Sequence, residues 1–250
     1  MTAAGPNWFD AGGADYARYR PDYPQALADH LADIAPRRRA ALDVGCGTGQ
    51  FTCQLAAQFE TVSGLDPSAD QIAHATPHPR VRYAVGHAEE TGQQGRAFDL
   101  VTAAQAAHWF DLPRFYAEVR RVAAPDALVA LISYGVAQLD PDLAGRFLHF
   151  YTTEIGPYWP PERRMVDEGY AGIAFPFPEL PAPRLDIVRE WSLADFLGYV
   201  STWSAVRRAR EAGKEALLVA FAQDLRELWG EAGTMRTIRW PVVARIGRIG

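Results

Sequence analysis

The stretch that most limits what this chain can become is Leu-Asp-Val-Gly-Cys-Gly-Thr-Gly-Gln at residues 42–50. An apolar run over Ala40–Val44 leads into three glycines in five residues, and Phe51, Leu55 and Phe59 then recur at i, i+4 and i+8. Such a pattern predicts a buried strand, a tight turn and a helix. Glycine has no Cβ, so the turn can take positive φ and let a ligand touch the backbone. The helix behind it offers free N–H groups at its start. The turn is therefore a cofactor seat. Its spacing is Gly-x-Gly-x-Gly, with glycines at 45, 47 and 49, not the Gly-x-Gly-x-x-Gly of dinucleotide sites. Asp43 precedes the first glycine by two residues, where it would repel a pyrophosphate but suit a cationic amino-acid group. Both details speak against the competing reading, an NAD-dependent oxidoreductase.

The rest of the chain supplies the matching elements. Thr61–Asp66 reads as a second strand ending on an acid before Pro67-Ser68. An acid at that strand end can accept both hydroxyls of a ribose; alternatively it caps the next helix. Val81, Tyr83 and Val85 alternate as a third strand, Phe98–Ala104 makes a fourth, and the apolar run 127–134 suits a central parallel fifth. Strands alternating with helical stripes predict a doubly wound, Rossmann-like, mostly parallel α/β sheet. Residues 187–191 and 238–246 add two strands, the latter holding Pro241, which asks for a bulge or a late start. The fourth strand runs out into Gln105-Ala-Ala-His108-Trp109-Phe-Asp111, at the end of the sheet where ligands bind. Residues 137–183 hold eight of the 18 prolines, so no regular strand is expected there. We expect this inserted helical and aromatic stretch to be a substrate cap. Tyr158, Trp159, Phe175 and Phe177 would be its walls, with Arg163 or Arg164 meeting an anionic substrate; the alternative is that these aromatics only anchor a surface excursion. The whole reads as one domain, with a core over 37–136 and 184–250.

The acid followed by Gly-x-Gly-x-Gly resembles the class I S-adenosylmethionine (SAM) methyltransferases. Two further segments are similar to their type 11 members related to the trans-aconitate methyltransferase group: Tyr16-Ala-Arg-Tyr19-Arg20-Pro-Asp-Tyr23-Pro, and the Ala-x-x-x-His-Trp-Phe-Asp pattern ending at Asp111. The resemblance implies methyl transfer from SAM to a small molecule, leaving S-adenosylhomocysteine. Residues 1–36 would form a lid, its tyrosines facing a sulfonium and Arg20 the amino-acid carboxylate; packing against the core is the plainer alternative. Asp43 would serve the amino-acid end, and Asp66 with Pro67 the ribose. Ala88 and Glu89, in the loop after the third strand, would hold the adenine. Tyr16, Tyr19, Gln105 and His108 would surround the reacting end, His108 as a general base or, equally, as pocket wall with Trp109. Trp203 sits in a segment similar to the family's C-terminal region. A carboxylic-acid acceptor follows from the same resemblance, and a non-catalytic SAM-binding module remains the alternative function.

Composition narrows the partners. A net charge of -5 and a pI of about 5.7 argue against a nucleic-acid substrate. Cys46 and Cys53 form no disulfide framework, which suits a reducing compartment. The first residues lack the basic and apolar regions of a signal peptide, and no apolar stretch is long enough to span a membrane. We expect a cytoplasmic protein. His74 and His78 have the spacing of zinc ligands, but Pro77 and Pro79 break the helix that spacing needs, so no metal site is expected.

Overall fold

The computed structural model describes residues 19–231 and 233–250; Tyr16 and the first part of the expected lid lie outside them. Five parallel strands form the body of one sheet: β1 (Ala40–Val44), β2 (Thr61–Asp66), β3 (Val81–Val85), β4 (Phe98–Ala104) and β5 (Ala123–Tyr134). Their order is β3-β2-β1-β4-β5, so the chain reverses direction across the sheet between β1 and β4. A short β6 (Glu179–Leu180), β7 (Leu185–Trp191) and the long β8 (Arg236–Arg248) complete it. β8 runs antiparallel to β5 through 242–248 and carries β6 and β7 on its other side.

Burial on both faces explains the apolar strands. In β5, Leu128, Ala130 and Ile132 enter one core, while Val129 and Leu131 enter the other. The first core takes α1 (Gln25–Ile34) through Leu27 and Leu31, and α2 (Gln50–Ala56) through Phe51 and Leu55. It also takes α7 (Leu193–Ser201), α8 (Ser204–Glu211) and α9 (Glu215–Trp229). The second core holds α4 (Leu112–Val122) by Phe115, Val119 and Val122.

Some expectations need correcting. Pro241 causes no bulge, and β8 keeps its register on β7 straight through it. Its carbonyl accepts from Gly135 N (3.0 Å), just past the end of β5, so its missing N–H forfeits only the terminal rung of that ladder. Residues 137–183 do contain a strand, the two-residue β6, besides α5 (Pro141–His149) and α6 (Arg163–Asp167). Phe175 and Phe177 meet Tyr116 edge to face, with Arg245 over the first ring and Arg120 over the second. They anchor the excursion to the sheet rather than wall a site. Trp203 sits at the N-cap of α8.

Candidate functional site

A cavity of about 790 Å³ opens over the carboxyl ends of β1, β2 and β4, the place where an open α/β sheet binds ligands. Its floor is the glycine turn, with φ of 72°, 55° and 87° at Gly45, Gly47 and Gly49. The three glycines serve different ends. A Cβ on Gly45 would stand 2.4 Å from the Ala106 Cβ, and one on Gly49 would stand 2.1 Å from the Tyr83 hydroxyl. Those two let the protein pack on itself. A Cβ on Gly47 would meet only Gln71 Oε1, at 3.7 Å. Gly47 thus presents bare backbone to the cavity.

Two acids flank the turn, and the sheet register sets both. Asp43 pairs across the sheet with Thr102, which brings the Thr102 hydroxyl to Oδ1 (2.7 Å), while Thr52 on α2 donates to Oδ2 (2.7 Å). Asp43 is buried, and burial lifts its pKa to about 6 against the pull of those two hydroxyls. Asp66 accepts the Gly47 N–H at Oδ2 and the Ser68 N–H at Oδ1, both at 2.9 Å. Burial raises its pKa too. The helix cap that Asp66 was a candidate for belongs to Ser68, whose hydroxyl accepts from Gln71 N at the start of α3 (Ala69–Ala73). Each Asp66 oxygen keeps a lone pair, which is what two vicinal hydroxyls require.

The walls carry unspent polarity. Gln50 Nε2, Gln71 Oε1 and Gln105 Oε1 are buried with no hydrogen-bond partner among the described residues, and all three residues line the cavity. Buried amide ends are normally paired, so this lining fits a ligand rich in donors and acceptors. Gln105 also holds a positive φ of 53°, costly for a side-chain-bearing residue, while its Nε2 donates to Tyr134 O (3.1 Å). Arg20 reaches the Tyr134 hydroxyl (3.0 Å) and lies over the Tyr199 ring. Pro67, His108 and Trp109 line the same space. His108 Nδ1 sits 2.9 Å from the Tyr170 hydroxyl. Burial, reinforced by the Arg163 charge, pulls the His108 pKa down to about 3. The imidazole is neutral at physiological pH and a poor base.

Other expected residues lie elsewhere. Tyr19 packs against the backbone of Gly198 on α7. Ala88 is buried in the second core, and the Glu89 carboxylate accepts the Asp111 N–H (2.8 Å). Their neighbour His87 takes the cavity position instead. Trp159 and Trp203 pack with tilted rings 5.2 Å apart in the first core, and Tyr158 packs there as well. Arg163 lies over Trp159 and donates Nε to the Tyr151 hydroxyl and to Asp167, both at 2.9 Å. Arg164 points outward and pairs with Glu168, so burial separates two arginines that adjacency in sequence could not. His74 bonds its own helix through Asp70 O, and His78 accepts from Arg80 N.

Tyr23, one of the tyrosines of the expected lid segment, lines the cavity, as do Gln50, Gln71, Tyr134 and Arg208, which the sequence reading does not single out. Gln50, directly after the third glycine, could have been found by position alone. Arg208, on α8, carries no local signal, because only helix packing brings it there.

A methyltransferase domain model matches residues 42–131. A Dictyostelium discoideum protein named as a methyltransferase is 32% identical over 87% of this chain and 84% of its own length. A solved structure from Anaeromyxobacter dehalogenans, described as a type II methyltransferase, is 46% identical. It covers 92% of this chain and 98% of its own, with a TM-score of 0.86. The trans-aconitate 2-methyltransferase of Deinococcus radiodurans is 36% identical over 44% of each chain. With the parallel sheet, the acid-led glycine turn and Asp66 at the end of β2, these matches make the chain a member of the class I SAM-dependent methyltransferases, of type 11.

Proposed function

We propose that this protein moves a methyl group from SAM, held over the glycine turn, to a small carboxylic acid. The observation that carries the cofactor half is Asp66, with one lone pair spare on each oxygen beside the bare backbone of Gly47. In this reading Asp66 and Pro67 hold the ribose. Asp43, Gln105 and Arg20 face the amino-acid end. Gln71 and His87 border the adenine in place of Ala88 and Glu89. Bound SAM supplies a methyl carbon on a sulfonium, a leaving group that needs no protonation. The chain has to align the acceptor with that carbon and exclude water.

The carboxylic-acid half rests on Arg163, which follows the cavity-lining Pro161 and Glu162 without itself being among the lining residues. Its Nε is engaged, yet its two terminal nitrogens make no hydrogen bond among the described residues, and its charge is felt at His108. A planar guanidinium suits a carboxylate. The name of the Deinococcus relative supports the same class. A labelled-SAM assay across small carboxylates, phenols and amines tests it. The expected product is a methyl ester that releases methanol in base. Transfer to amines or phenols alone would overturn the carboxylate assignment.

A further inference from the structure

Tyr170 has no part in the roles assigned so far, and its placement is costly. It is fully buried, in the turn after α6, with a positive φ of 60°. Residues with side chains seldom hold that conformation, and such outliers collect at functional sites. The Arg245 guanidinium, 3.2 Å from the Tyr170 carbonyl, pins the turn from β8. The phenol then lies beneath the short helical turn Ala107–Trp109 at the end of β4. Its oxygen has one hydrogen-bond partner among the described residues, His108 Nδ1 at 2.9 Å.

The hydrogen count settles the direction of that last bond. A phenol has two lone pairs and one proton. The phenol is buried and its proton has no other acceptor among the described residues, so it goes to His108 Nδ1. Nδ1 is then an acceptor, and the ring's single proton sits on Nε2. That nitrogen makes no hydrogen bond among the described residues, and His108 lines the cavity. The charged group felt at the ring is Arg163 on α6, which opposes a second proton.

We propose that Tyr170 is a positioning residue that locks His108 as a neutral Nε2–H donor, so that the acceptor is bound through a lone pair and enters already ionised. The inference rests on the methyltransferase reading above and excludes His108 as the base. The electron balance agrees. The acceptor's lone pair forms the new bond to the methyl carbon as the carbon–sulfur pair withdraws onto sulfur. An anion and a sulfonium become a neutral ester and a neutral thioether, with no proton left to remove.

Two measurements test this. The first is the ¹⁵N spectrum of histidine-labelled wild-type protein, which needs neither cofactor nor acceptor. One imidazole should show a protonated Nε2 and a bare Nδ1 throughout pH 5–9, and Tyr170→Phe should let that same ring exchange tautomers. An Nδ1–H form, or titration of the ring near neutral pH, would overturn the lock even if methyl transfer stands. The second is rescue. His108→Gln places an amide N–H near the Nε2 position, so kcat/KM on an ionised acceptor should stay within about threefold of wild type, while His108→Ala loses about tenfold or more. Equal loss in both variants would mean that the donor role is wrong. A failure of SAM to bind at all would sink the functional reading and leave the spectrum to judge the lock.

Discussion

Lowering the pH should loosen SAM through Asp43, and the size of the effect follows from its burial. The carboxyl titrates at about 6 in the fold against an ordinary 3.8. Because the folded value is the higher one, Asp43 favours folding below the ordinary value, and that advantage is lost as pH rises through about 6. Holding the group ionised at pH 7 costs the folded state about 3 kcal/mol. A cationic amino group bound beside it favours the ionised form, so binding expels a proton where the group is still protonated. Affinity should therefore be about tenfold weaker at pH 5 than at pH 8. Titration calorimetry near pH 6, in two buffers of different ionisation enthalpy, should detect the released proton. Asp43→Asn should bind SAM more weakly at pH 8 and lose most of the drop toward pH 5. The same variant should melt no lower at pH 8, since an amide escapes the ionisation cost and the Thr52 and Thr102 hydroxyls can turn to suit it. If Asp43→Asn follows the wild-type pH curve, Asp43 does not face the amino group.

Gly45→Ala and Gly47→Ala should part company: the first destabilises by about 2–3 kcal/mol through the Ala106 clash and its positive φ, measured by urea denaturation. The second costs about 1–2 kcal/mol of stability for its φ alone, yet should weaken SAM binding more than the first. Glu118 takes both Arg121 contacts (2.6 and 2.7 Å) and the Thr91 N–H, and the Arg121 hydrogen bonds lead in holding its pKa at about 2. That contribution is present above about pH 4.5 and fades as pH falls toward 2. Glu118→Gln should therefore cost about 2 kcal/mol at pH 7 and far less near pH 2, read from thermal melts.

The sheet was legible in the sequence because strand burial on two faces writes continuous apolar runs, and because three glycines before a helical stripe admit one turn geometry. Asp66 was legible for the same reason: its place at a strand end is local information. What escaped was set by packing between distant segments. Adjacent Arg163 and Arg164 look alike until α6 buries one and exposes the other. Glu89 looks like a loop acid free for a ligand until Asp111, 22 residues later, presents its N–H. His108 looks like a base until Tyr170, 62 residues away, meets its Nδ1 at 2.9 Å. A lone polar residue in sequence carries no sign of which partner will use it.

The central claim is that the cavity over the glycine turn seats SAM through Asp66. Calorimetric titration of SAM into wild type and Asp66→Asn tests it most directly. Two charge-assisted hydrogen bonds to the ribose are weakened by the change, so the Kd should rise about a hundredfold or more, while NAD should show no heat with either protein. No SAM binding at millimolar concentration, or equal affinity in the two proteins, would contradict it.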